Sequence, residues 1–177
     1  QKAGSFGLAG CFSFYPAKTL GALGDAGAVV TNSKELYNRI MLLRDHGRLN
    51  KTDLADWGYN CRLDNLQAAI LDLKLKYLPS WIKRRRELAG LYHRYLADVP
   101  QITLPPAPTN AGPYFDVYQN FVIEAENRDQ LVEYLTQNGI ETLISWPKAI
   151  HHQTALGLTN FHLPRTNQLC QKVLSLP

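Results

Sequence analysis

The run Phe12-Ser13-Phe14-Tyr15-Pro16-Ala17-Lys18-Thr19-Leu20-Gly21-Ala22-Leu23-Gly24-Asp25-Ala26-Gly27 holds residue types in an order that can do chemistry. A lysine just past a strand is ordinarily a surface lysine. Lys18, however, is set among aromatic and small residues, and a low-dielectric setting of that kind favours the neutral, nucleophilic amine. Ser13 lies five residues earlier, where its hydroxyl can bond a phosphate. Glycines at 21, 24 and 27 let the backbone approach a planar ligand closely. A cofactor aldehyde bound by the lysine and held by its phosphate is what such an arrangement can serve.

Elements on either side must position these groups. Gly10–Tyr15 alternates, with Cys11, Ser13 and Tyr15 on one side and Phe12 and Phe14 on the other, which predicts a short strand ended by Pro16. Ala28–Thr31 reads as a second strand, returning through the glycine-rich turn. Asn32-Ser33 predicts a helix cap with Glu35 in the first turn, and Asp45-His46-Gly47 the end of that helix. Residues 48–60 read as a polar loop. From Asp64, Leu66, Ile70, Leu73 and Tyr77 predict a helix with one buried stripe, broken or kinked at Pro79. Leu88, Leu91 and Tyr95 continue it to about Val99. After the proline-rich connector Leu104–Pro113, Val117–Glu124 reads as a strand and Arg128–Asn138 as a helix stopped by Gly139. Ile140–Trp146 then reads as a strand and Asn167–Leu174 as a helix. The expected organisation is α/β: part of one domain over 1–75, a linker helix over 76–99 and a small α/β domain over 100–177.

Composition narrows the class. An apolar fraction of 45% with 19% charged residues belongs to a globular chain, not a disordered one. No apolar run approaches the roughly eighteen residues of a membrane span, so no membrane partner is expected. Cys11, Cys61 and Cys170 form no CxxC pair, which argues against a zinc site and a disulfide framework and for a reducing, cytoplasmic compartment. The run Lys83-Arg84-Arg85-Arg86 carries much of the +4 net charge. It reads as a solvated helix face or a contact with an anionic ligand or partner. Without interleaved aromatics it does not read as a nucleic-acid surface.

The string FSFYPAKTLGALGDAGAVVT resembles the lysine segment of the DegT/DnrJ/EryC1/StrS sugar aminotransferases. The likeness continues through Leu43–Gly47, Gly58–Leu71, Trp146–Gln153 and Leu174–Pro177, in the family's order, over nearly the whole chain. This resemblance implies the C-terminal part of a fold-type I transferase: the end of the large-domain sheet, a long linker helix and a small C-terminal α/β domain. It implies pyridoxal 5'-phosphate as cofactor, Lys18 as the Schiff-base and acid/base lysine, and Ser13 as a donor to the cofactor phosphate. Asn60 would reach the phosphate of the neighbouring subunit's cofactor in a homodimer with shared active sites; a helix-entry cap is its other reading. Tyr15 and His151 are implied as contacts to the sugar. A packed aromatic is the alternative for Tyr15, and a plain loop histidine or one of a metal pair for His151. Adjacent His151 and His152 on an extended segment point opposite ways, so a metal shared by both is not expected. Arg62 reads as a structural or interface residue.

The form YPAKTLGALGDAG resembles family members that aminate a 3-keto sugar carried on a nucleoside diphosphate, with L-glutamate giving the amine and 2-oxoglutarate leaving. In this family the acidic partner of the pyridine nitrogen and the side chain stacked on the ring lie upstream of the lysine segment. The 177 residues alone are therefore expected to form an incomplete, inactive site. A non-catalytic ligand-binding or regulatory relative of the same fold is the competing reading, against which Lys18 speaks. A glycine-rich nucleotide-binding domain ranks last, because no strand–GxGxxG–helix context is present.

Overall fold

The alternating segment at 10–15 forms strand β1 (Ala9–Ser13), and the glycine-rich turn returns the chain as β2 (Gly27–Thr31). The computed structural model describes residues 1–158 and 160–177, in two units, Gln1–Trp81 and Ile82–Pro177. In the first unit β1 and β2 pair antiparallel from Ala9↔Thr31 to Ser13↔Gly27. The Thr31 hydroxyl donates to the Leu8 carbonyl at 2.6 Å and accepts the Ser33 amide at 3.0 Å. Helix α1 (Lys34–Leu43) then starts on the Ser33 cap, whose hydroxyl accepts the Leu36 amide at 3.2 Å, with Glu35 in its first turn. His46 (φ 61°) and Gly47 (φ 71°) turn left-handed and end it.

Helices α2 (Asn65–Leu75) and α3 (Leu78–Leu96) meet at a break around Lys76-Tyr77. Pro79 falls in the first turn of α3, where its missing amide costs nothing, so the proline starts a helix instead of kinking one. Within this chain Leu66, Leu73 and Tyr77 of the expected α2 stripe are exposed, Ile70 is half-buried and Leu71 is the buried position. Leu, Ala and Ile occur all round this helix, so spacing alone could not choose its inner face. On α3 likewise Leu88, Leu91 and Tyr95 are exposed, while Ala89 is buried and Tyr92 packs on the core of the second unit.

That second core gathers Ala89, Tyr118, Phe121, Ile123 and Leu174. Strands β3 (Ile102–Thr103), β4 (Phe121–Ala125) and β5 (Val173–Leu176) form an antiparallel sheet in the order β3-β4-β5. Helix α4 (Arg128–Gln137) and Gly139 (φ 73°) fall where expected. Three expectations are corrected. The strand expected from Val117 begins at Phe121, because Tyr118 turns left-handed (φ 50°) with its amide donating to the Asp116 carboxylate at 2.8 Å. The strand expected over 140–146 reduces to one bridge, Leu143↔Ser175. The last helix, α5 (Pro164–Lys172), stops early and yields to β5, since Val173-Leu174-Ser175-Leu176 extends to pair with β4. Buried Arg128 anchors that junction by donating to the carbonyls of Cys170 and Val173.

The basic run is a clamp. Arg86 donates to the carbonyls of Asp116 (2.6 Å) and Thr109 (2.8 Å) and to Asn110 Oδ1 (3.0 Å), and lies 4.0 Å from the Phe115 ring centroid. Arg85 donates to the carbonyls of Tyr118 and Gln119, both at 3.1 Å. Arg84 pairs with Glu87 on the helix surface. Two of the arginines therefore serve the chain's own backbone. Arg86→Ala should destabilise this unit by about 1–3 kcal/mol in urea unfolding, with little rescue by Arg86→Lys, because a single ammonium cannot span three acceptors as the guanidinium fork does. Equal stability of wild type and Arg86→Ala would refute the clamp.

Among the described residues no group of three or more His, Cys, Asp or Glu is placed to hold a metal. The three cysteines are free thiols. No described helix is long and apolar enough to cross a membrane.

Candidate functional site

The chain leaves β1 through a tightly folded loop that carries Lys18. The Ser13 hydroxyl accepts the Tyr15 amide at 3.3 Å, and the Lys18 amide donates to the Tyr15 carbonyl at 2.8 Å. Beyond Lys18 the loop closes on itself: the Ala22 amide donates to the Phe14 carbonyl at 2.8 Å. Gly21 sits so close to Pro16 that a Cβ there would lie 2.4 Å from the Pro16 carbonyl oxygen, so only glycine permits this closure. Leu23 and Gly21 are further tied to α2 through Gln67 and Lys74.

A second segment is stitched to the end of α1. The His46 amide donates to the Tyr59 carbonyl at 2.9 Å, the Tyr59 amide to the Leu43 carbonyl at 2.7 Å and the Cys61 amide to the Arg44 carbonyl at 2.8 Å. Asp45 bridges Asn60 through the backbone, and Arg62 pairs with the Asp45 carboxylate at 3.2 Å. Arg39 pairs with Asp56 in the intervening excursion; that guanidinium, helped by the Trp57 amide, holds the Asp56 carboxyl below the usual carboxylate range. Leu63 (φ 65°) then turns the chain into α2.

These two segments line one open cleft of about 1270 Å³. Four of the five residues singled out in the sequence face it: Ser13, Tyr15, Lys18 and Asn60. Within this chain Lys18 and Tyr15 are both exposed, so these residues by themselves do not enclose the amine. Aromatic neighbours in sequence do not desolvate an amine unless a second wall covers it. The cleft also takes in residues not assigned to the site from the sequence, Arg44 and Arg62 foremost. Both lie in the blocks LRDHG and GYNCRLD, which were the available signal. With Lys18 they share the lining with Asp25 and Asp64, and Arg62 is already paired with Asp45, which leaves Lys18 and Arg44 as the cations to meet an anion.

His151 belongs to the other unit. It sits on a 3-10 turn (Ile150–His152), 6% exposed, with the His152 ring centroid 4.3 Å away. Among the described residues neither of its ring nitrogens has a hydrogen-bond partner. An imidazole buried without partners is costly.

A model of the DegT/DnrJ/EryC1/StrS aminotransferase family matches residues 1–177. The chain is 46% identical to the erythromycin biosynthesis sensory transduction protein EryC1 of Saccharopolyspora erythraea, covering 100% of the chain and 48% of that protein. It is 39% identical to the dTDP-3-amino-3,4,6-trideoxy-alpha-D-glucose transaminase of Streptomyces venezuelae, over 100% of the chain and 47% of the relative. The crystal structure of S. venezuelae DesV in complex with a ketimine intermediate superposes with a TM-score of 0.89 at 39% identity, covering 100% of this chain and 48% of that one. The chain thus spans about half the length of the curated relatives it matches.

Proposed function

We propose, given that the chain belongs to the DegT/DnrJ/EryC1/StrS aminotransferase family, that the complete protein moves an amino group from L-glutamate to a keto-deoxysugar linked to a nucleoside diphosphate, using pyridoxal 5'-phosphate. The observation that carries this reading is the single cleft onto which Ser13, Tyr15, Lys18 and Asn60 open. Its donor set suits a phosphorylated aldehyde: a primary amine for the aldehyde, a hydroxyl and an amide for the phosphate, and the Arg44 guanidinium on the same lining. The cofactor, when bound, supplies an electron sink for charge that develops on the reacting carbon.

In this reading Lys18 Nζ would hold the cofactor's aldehyde carbon and, once released, would serve as the amine that takes up and returns a proton. The Ser13 hydroxyl donates to the phosphate while its oxygen still accepts the Tyr15 amide. Asn60 offers its exposed amide to the phosphate of the neighbouring subunit's cofactor, in a homodimer whose subunits share their sites. Tyr15 and His151 contact the sugar; His151 brings two ring nitrogens that need partners. The name of the Streptomyces relative supports amination at the sugar's C3. A cytoplasmic location completes the reading, supported by three free cysteines.

The complete protein, supplied with pyridoxal phosphate, glutamate and a panel of 3-keto and 4-keto nucleotide sugars, should consume a 3-keto sugar in step with release of 2-oxoglutarate. A second reading, a regulatory or ligand-binding relative, is favoured by the sensory-transduction name of the Saccharopolyspora protein. Absence of both the cofactor's absorbance and 2-oxoglutarate release would establish that reading instead.

A further inference from the structure

Helix α2 grips the lysine loop with side chains that stand outside the cleft. Gln67 Oε1 accepts the Leu23 amide at 2.8 Å, and Lys74 Nζ donates to the Gly21 carbonyl at 2.6 Å. Seven residues make about two helical turns, so the two side chains share one face some 10 Å apart along the axis. Leu71, the buried residue of α2, lies on that face between them. Neither Gln67 nor Lys74 lines the cleft.

The same helix begins where the other cleft wall ends. Asn60, Cys61, Arg62, Leu63 and Asp64 all line the cleft, and Asp64 is the residue immediately before α2. One rigid helix is therefore continuous with the Asn60 wall and laterally bonded to the Lys18 loop. These bonds add to the loop's own closure: the tie of Ala22 to Phe14 stops one residue short of Leu23, and the Gln67 bond takes up the next amide. The Lys74 bond is charge-assisted, and hence stronger than an amide–carbonyl contact.

We propose that Gln67 and Lys74 are positioning residues that hold the Lys18 loop at a fixed offset from the Asn60 wall, so that α2 sets the width of the cleft where the amine meets its substrate. The proposal rests on the reading of Lys18 as the reactive amine. It assigns two residues of α2 a part in the reaction although neither touches the reacting atoms.

The test uses the complete protein with Gln67→Met, which keeps length and loses the acceptor, Gln67→Glu, which keeps an acceptor, and Lys74→Met. Without cofactor, exchange of the Leu23 amide should quicken about fivefold or more in Gln67→Met and return near wild type in Gln67→Glu. With pyridoxal phosphate bound, kcat should fall about tenfold or more in Gln67→Met and Lys74→Met while KM for glutamate stays within about twofold. The pH midpoint of the cofactor's absorbance should also move in both. Unchanged kcat and absorbance midpoint in both methionine variants, with Lys18→Ala inactive, would overturn the positioning role and leave the reading of Lys18 intact. Full turnover in Lys18→Ala would overturn that reading, and the proposal with it.

Discussion

Lys18→Ala in the complete protein should lose about a thousandfold or more of its amino-transfer rate while unfolding, with cofactor removed from both, at the same urea concentration as wild type. The two halves of this expectation have separate physical grounds. Everything described that fixes the loop is main-chain or comes from other residues: the Lys18 amide on the Tyr15 carbonyl, the Ala22 amide on the Phe14 carbonyl, the contact of Gly21 with Pro16, and the bonds from Gln67 and Lys74. The Lys18 side chain is exposed, and truncating an exposed side chain of this kind changes stability by about 0.5 kcal/mol at most. The loss in rate is then chemical. Lys18→Arg sharpens the point, because arginine keeps the charge and much of the length but has no accessible neutral form with which to take up a proton. It should be as inactive as the alanine variant. Single-turnover rates with glutamate, followed through the cofactor's absorbance, make the comparison. A rate within tenfold of wild type for either variant would remove Lys18 from the chemistry.

What the sequence disclosed and what it concealed divide along one physical line. Strand β1, the Ser33 cap and the left-handed stop at His46-Gly47 were legible because each is decided by residues within a few positions of one another. The grouping of Ser13, Tyr15 and Lys18 is legible for the same reason. Features decided by distant partners were not. Val173–Leu176 is a short apolar run whose extended form depends on pairing with Phe121–Glu124, some fifty residues away. The work of Arg85 and Arg86 is equally hidden, since their acceptors lie in the segment 109–119 and all but Asn110 Oδ1 are backbone carbonyls, which no residue type advertises. Arg62 illustrates the intermediate case. Its block could be recognised, yet its place on the cleft follows from the stitching of Asp45 to Asn60.

That stitching depends on two glycines, and the second large expected effect falls there. Gly47→Ala should destabilise the first unit by roughly 3 kcal/mol or more, whereas Gly112→Ala should cost only about 1–2 kcal/mol. Both glycines are left-handed, at φ 71° and 93°, so the conformational cost of adding a side chain is shared. The surroundings differ. A Cβ on Gly47 would stand 1.9 Å from the Asp56 carbonyl oxygen, and one on Gly58 would stand 2.1 Å from the Gly47 nitrogen; around Gly112 no atom of the described residues lies within 4 Å. The colliding atoms at Gly47 are backbone, which cannot swing aside as a flexible side chain would. Relief requires separating 45–47 from 55–60, and that breaks the bonds of the Gly47 carbonyl to the Ala55 amide and of the His46 amide to the Tyr59 carbonyl. Asn60, Cys61 and Arg62 are carried on the strip that would peel away, so the cleft should lose one wall before the unit unfolds. Amide exchange at Tyr59 and Cys61, which donate to Leu43 and Arg44, reads this local opening, and the urea midpoint reads the global cost. Equal midpoint shifts for Gly47→Ala and Gly112→Ala would show that backbone conformation alone, and not the close approach of the two segments, explains the glycine at 47.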